Sequence, residues 1–321
     1  MGRFYLLLAA FLLPAIVEAR TGADLLRQIR GISFSAEQCH RVRDLFLERE
    51  DFKLHFSDGY LLFADPVQGR PLAALFLAAT ETGAGEVILI PPSRSERQSL
   101  TRFAGEPVLQ EALRTAMMFF SDDTAEALRQ AMAQNPFNRP DPEVGKKLAE
   151  DWTLVARNMV TGYETRILQD LLTPLPAAAG FFAAGISGVR LGRFDVLMDP
   201  RREDQIVVGQ AVWQDGARYY DVWASFPARS FREKRRQRVV DSGRLEDFRI
   251  EAALSPELDL RVSTRATLVG GNLRERAIGM ELSRQMKVSR LLLDGQPVEY
   301  LQNEPLDSSG SLNPADAYMF G

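Results

Sequence analysis

At 321 residues the chain exceeds one ordinary domain of roughly 100–200 residues, and its 45% apolar content supports packed cores and excludes a disordered polymer. A formal net charge of −4 gives no global electrostatic case for nucleic acid. The single cysteine, Cys39, excludes an internal disulfide, so core burial must hold the fold.

The chain opens with a short positive stretch, Met1-Gly2-Arg3, then an apolar run from Phe4 to Val17, then the small-x-small site Val17-Glu18-Ala19. This is the pattern of a secretory signal peptide spanning residues 1–19. The run is shorter than the ~20 residues of a bilayer span, so the reading expects export to the periplasm or the medium and no transmembrane span after cleavage.

Residues 22–30 read as a short helix. From Val42 to Ile90 the pattern turns β-rich, with FKLHF, YLLFA, LAALFLAAT and EVILI in succession. Asp58-Gly59 predicts a tight hairpin turn, Thr82 to Gly85 a looser one, and Pro91-Pro92 the end of this sheet. Ser93 with Glu96 three places on predicts the start of a helix over 93–103. Ala116 to Phe120 reads as a strand, and Thr124 to Ala133 as a helix with Ser121, Asp122 and Asp123 as candidate caps.

Val144, Leu148, Trp152, Val155, Met159, Tyr163, Ile167 and Leu171 recur at spacings of three and four, which predicts one long amphipathic helix ended by Pro174 and Pro176. Residues 172–190 then read as a domain seam. Beyond it the chain is β-rich again: RFDVLMD, QIVVGQAVW, ARYYDVWASF, FRIEAAL, LDLRVSTRATL and KVSRLLL alternate apolar and polar residues. Asp294-Gly295 predicts another tight hairpin. The expected class is α+β. A signal peptide (1–19) precedes a mixed accessory domain with a long amphipathic helix (20–175), and an antiparallel β-sandwich or β-saddle domain (176–321) follows.

Candidate chemistry is sparse. His40 and His55 lack the i, i+4 partner of an H-E-x-x-H zinc motif, and Glu37-Cys39-His40 is at most a half-site. Gly185-Ile186-Ser187-Gly188 lacks the last glycine of a nucleophile elbow. Gly83-x-Gly85 precedes a strand pattern, not the helix a dinucleotide site needs. Asp122-Asp123 and Glu203-Asp204 fall at expected caps or turns. The basic run Arg229, Arg232, Lys234, Arg235, Arg236 and Arg238 reads as a solvated loop, with anionic envelope lipid or a neighbouring domain as the alternative contact. No catalytic, cofactor-binding or metal-binding residue is assigned.

The segment from Asp247 to Glu304 resembles the N-terminal β-domain of aminopeptidase N-like zinc metallopeptidases of the secreted bacterial type. RIEAAL and LDLRVSTRATL match its alternating strands, AIGMELS a following strand, and MKVSRLLLDGQPVEYL its closing hairpin. FKLHFSDGYLLFADPVQGRPLAALF, PPSRSERQSLTRFAG and FFSDDTAEAL resemble a region preceding that domain in some large members. The resemblance implies a non-catalytic scaffold whose partner is its own C-terminal catalytic domain. Zinc and peptide substrates would then belong to the full-length protein, and no cofactor to these residues. Gly279-Met280-Glu281 echoes the family's exopeptidase loop but falls in a strand pattern, and the ending NPADAYMFG reads as that of a fragment. The alternative expectation is a free-standing secreted or periplasmic binding protein.

Overall fold

Runs such as Tyr60-Leu61-Leu62-Phe63-Ala64 put apolar side chains on both faces of a strand, a pattern stable only where both faces are covered. That is how the computed structural model is built; it describes residues 21–173, 179–214, 217–238, 243–270, 277–278, 282 and 286–302. Residues 1–19, expected to be the signal peptide, lie outside them, as do Gly279-Met280-Glu281 and the ending NPADAYMFG.

The chain runs α1 (Gly22–Arg30), β1 (Phe34–Arg49), β2 (Phe52–Ala64), β3 (Ala73–Ala78), β4 (Glu86–Leu89), α2 (Arg94–Ala104), β5 (Leu109–Phe120), α3 (Thr124–Ala133), β6 (Arg139–Pro140), α4 (Pro142–Val160), α5 (Glu164–Leu172), β7 (Phe182–Gly188), β8 (Arg193–Met198), β9 (Ile206–Gln214), β10 (Ala217–Phe226), α6 (Arg229–Arg232), β11 (Gly243–Leu254), β12 (Leu260–Gly270), β13 (Leu292–Leu293) and β14 (Gln296–Pro297). The class is α+β. One antiparallel sheet has the order β10-β9-β8-β7-β5-β3-β2-β1-β6, with β4 bridging β2 and β5.

Two cores flank this sheet. One buries Leu61, Phe63, Phe76, Met118 and Phe120 against Leu100 of α2 and Leu128 of α3. The other buries Leu62, Leu75, Met117 and Phe119 against Ile29 of α1, Leu148 and Val160 of α4 and Ile167 of α5. Consecutive residues thus feed opposite cores, as the two-residue period of a strand dictates. Among the described residues no helix is long and apolar enough to cross a membrane.

Several sequence expectations differ from this arrangement. Asp58-Gly59 makes no hairpin: β2 runs through it, and the β1–β2 turn is Glu50-Asp51, with Glu50 at φ 50°. Gly59 is there because a Cβ would lie 2.4 Å from the Leu77 carbonyl oxygen and 2.5 Å from the Phe76 ring. The long helix breaks at Thr161-Gly162-Tyr163 into α4 and α5. The break seats Tyr163 between Phe119 and Phe181, at 5.4 and 5.6 Å between ring centres.

The stretch read as a seam contains β7, which pairs with β5 and β8 inside the sheet. Strands from both sides of residue 175 therefore share one sheet and both of its cores, and β7–β10 extend that sheet instead of closing a second one. Other expectations coincide with the structure. The α1 and α3 spans fall where predicted, Ser93 caps α2 by accepting from Glu96 N, and Asp294-Gly295 turns β13 into β14 with φ of 50° and 79°.

Candidate functional site

The densest set of buried ionisable groups surrounds Arg166 on α5. Its Nε and Nη2 donate to Asp199 at 2.9 and 3.0 Å, and its Nη1 donates to Asp170 at 2.5 Å. Ser121 Oγ donates to the other Asp170 oxygen at 2.5 Å and accepts from Phe181 N at 2.8 Å. Burial pulls the Arg166 pKa down, but Asp199 and then Asp170 outweigh it and hold the guanidinium above its ordinary range. Glu164, two residues before it on α5, takes Arg30 of α1 in two 2.7 Å bonds.

The acceptors in this network are occupied by Arg166 itself and by groups from outside α5, so its chemistry is that of a clamp. It ties α5 to the end of β5, the start of β7 and the β8–β9 connection. Ser121 has no base beside it, only a carboxylate that already holds Arg166, which is not the arrangement nucleophilic catalysis uses.

Asp122 has a strongly displaced titration. Burial pushes it up to about 6, against the opposing charge of Arg49 and hydrogen bonds from Thr124. Its Oδ1 accepts from Thr124 N at 2.9 Å, which makes it the capping acceptor of α3, while Asp123 makes no side-chain cap bond.

The other sequence candidates are scattered. His40 lies on β1 opposite Leu61, and burial, with the charge of Arg129 and against a bond at Gln38, lowers its pKa. His55 stacks on Phe46 at 4.2 Å between ring centres, with Asp44 3.4 Å from its Nε2. Cys39 is buried against α4, and burial together with Asp141 pushes its thiol up to about 11, far from a reactive thiolate. Ser187 lies within β7, and Asp204 accepts from Ser225. Among the described residues no group of three or more His, Cys, Asp or Glu could hold a metal ion.

The basic run is partly engaged, not simply solvated. Arg232 grips Asp51 at 2.7 and 3.1 Å, Ser230 bonds Glu50 through both its N and Oγ, and Arg229 N donates to Asp51 at 2.8 Å. These contacts pin α6 on the β1–β2 turn.

The surface feature that stands apart is the β11–β12 hairpin. Its strands pair only with each other among the described residues. Ile250 faces Thr264, Ala252 faces Val262 and Leu254 faces Leu260, so these six residues share one side, and Phe248 continues it. Phe248, Ile250, Leu254 and Leu260 are 56%, 62%, 64% and 53% exposed, and Leu258 at the tip is 77% exposed. The opposite side carries Arg249, Glu251, Arg261, Ser263 and Arg265. Beyond the hairpin the chain is anchored again. Glu299 accepts from Gly22 N and Ala23 N at 3.0 and 2.6 Å, capping α1, and Leu301 packs on the second core.

No protein-family model, no curated protein and no solved structure matches the chain.

Proposed function

We propose that this chain is a non-catalytic interaction protein whose two-cored body presents the β11–β12 hairpin as a docking arm. The exposed apolar side of the hairpin carries this reading. A two-stranded hairpin is marginal in water by itself, and strands become stable when a hydrophobic face is covered. Burial of Phe248, Ile250, Leu254 and Leu260 by a partner would contribute roughly 1.5–3 kcal/mol each before the costs of association. The signal-peptide pattern of residues 1–19 supports a partner outside the cytoplasm.

The test is a triple substitution, Ile250→Ser, Leu254→Ser and Leu260→Ser, in the full chain. Binding of a hydrophobic-surface dye should fall several-fold while the thermal midpoint stays within a few degrees. A large drop in midpoint would mean that these residues belong to the folding core, and the reading would be abandoned.

A narrower form of the same reading is favoured by one observation: the arm, from Asp247 onward, falls in the segment that resembles aminopeptidase N-like enzymes. There the chain would be scaffold for a zinc-bearing peptidase domain supplied by further polypeptide. An aminoacyl-anilide assay of the chain with added zinc should show no turnover. Turnover would remove the non-catalytic assignment.

A further inference from the structure

The two edges and two sides of the arm are not equivalent, and the difference specifies a partner. Along β12, Leu260, Val262 and Thr264 lie on the apolar side while Arg261 and Arg265 lie on the other. Arg249 of β11 stands directly opposite Arg265. Like charges facing each other across a strand pair are unfavourable. Arg249 has its own acid, Glu251, at 3.0 Å, whereas neither Arg261 nor Arg265 forms an ion pair among the described residues. The acids of the tip do not reach round to help in the paired part, since Glu257 and Asp259 sit in the turn with their backbone N–H groups on Ser255 Oγ. The polar side of the arm therefore carries Arg244, Arg249, Arg261 and Arg265 against Glu246 and Glu251; Arg244 is held by Glu246 at 2.6 Å, which leaves the two uncompensated arginines on β12. The outer edge of β12 has no strand beside it among the described residues, so half of its backbone donors and acceptors face outward.

Building on the docking-arm reading above, we propose that the outer edge of β12 accepts an extended polypeptide segment of alternating apolar and acidic residues as a third, antiparallel strand. Backbone hydrogen bonds supply the pairing, the period of two supplies the alternation, and the two sides of β12 dictate what each alternate residue must be. Apolar side chains of the incoming strand extend the surface of Ile250, Leu254, Leu260 and Val262. Its carboxylates reach Arg261 and Arg265, four residues apart on β12 with Ser263 midway between them. The exposed stretch Leu260 to Arg265 matches a segment of about six residues, a usual strand length. A lipid surface fits less well, because it offers no backbone groups to the open edge.

The probes are synthetic peptides titrated into the full chain: one alternating valine and glutamate, one alternating valine and lysine, and the valine–glutamate peptide N-methylated at every second residue. The valine–glutamate peptide should bind at least tenfold tighter than the lysine peptide, and several-fold weaker when salt is raised from about 0.05 to 0.5 M. N-methylation should cost at least tenfold, since it removes strand donors. In an Arg261→Glu, Arg265→Glu variant the preference between the two charged peptides should invert, while circular dichroism and the thermal midpoint stay those of the parent. Equal affinity for the acidic and basic peptides, or unchanged affinity after N-methylation, would overturn the proposal. If no peptide binds but the serine-substitution dye experiment succeeds, the arm is a docking surface for some other chemistry, and anionic vesicles then decide whether that is lipid. If both fail, the docking reading falls as well.

Discussion

The sheet's central strands and the β11–β12 arm are written in the same alphabet but end in opposite surroundings. In β2, Leu61, Leu62, Phe63 and Ala64 are all buried, alternately in one core and the other. In β11, Phe248, Ile250 and Leu254 recur every other residue or so and stay more than half exposed. A period of two states only that a strand has two unlike sides. What covers the apolar side is decided by neighbours, and among the described residues β11 and β12 pair with no strand but each other.

The largest expected effect lies in the body, at the Arg166 clamp. Asp199→Ala removes the two-bond partner of a buried guanidinium, and an uncompensated buried charge costs about 3–5 kcal/mol. Denaturant unfolding should report a loss of that size, and Asp199→Asn should recover part of it. A loss under about 1 kcal/mol would show that the clamp is open to water and that the body is looser than its contacts imply. Next comes Leu62→Ala, a large-to-small change in the second core, for which about 2–5 kcal/mol is expected. Close approach gives a third test: at Gly145 of α4 a Cβ would lie 2.5 Å from the Ala36 carbonyl oxygen and 2.6 Å from the Cys39 Cβ. Gly145→Ala should lower stability by about 1–3 kcal/mol through overpacking, despite alanine's better helix propensity.

Asp122 offers a pH-dependent counterpart. Its folded pKa, up at about 6, exceeds the ordinary aspartate value near 3.8. Between those values the folded state binds the proton more tightly than the unfolded chain does. Its contribution is therefore fully present below about pH 4 and is lost as pH rises through 6. At about 1.4 kcal/mol per pKa unit the change is on the order of 3 kcal/mol. Asp122→Asn, which keeps an acceptor for Thr124, should flatten the stability profile in that window. An unchanged slope would mean that Arg49 holds the carboxylate ionised throughout.

These differences also mark what the sequence could and could not convey. α3 was legible because its caps and its helical period agree, and Asp294-Gly295 because nothing competes with its turn. The same dipeptide at 58–59 misleads, because Gly59 answers to the Phe76 ring on the neighbouring strand, a long-range fact. β1 escaped because a register shift between Phe34 and Cys39 and a positive φ at Asp44 interrupt its alternation. β7 (FAAGISG) reads like a linker because its residues are small. They are small because Met159 of α4 sits within 2.6 Å of where a Gly185 Cβ would be, and Glu111 within 2.6 Å of the one at Gly188. The Arg166 clamp was invisible because Arg166 and Asp170, at i and i+4, look like an ordinary solvated helix pair. The arm's strands were legible, and their lack of cover was not.

The smallest expected effect is the one that most sharpens the contrast. Ile250→Ala in the isolated chain removes a β-branched side chain from a strand, as Leu62→Ala removes a core side chain, yet it uncovers little that water does not already reach. Exposed substitutions of this kind fall within about 0.5 kcal/mol. Amide exchange should agree: amides of Ile250 and Thr264 should exchange far faster than those of Leu62 and Leu75, because a pair of strands open on both sides holds its hydrogen bonds by local stability alone. Should Ile250→Ala cost 2 kcal/mol or more, the apolar side of the arm is covered in the free chain, and docking would have to begin by displacing that cover.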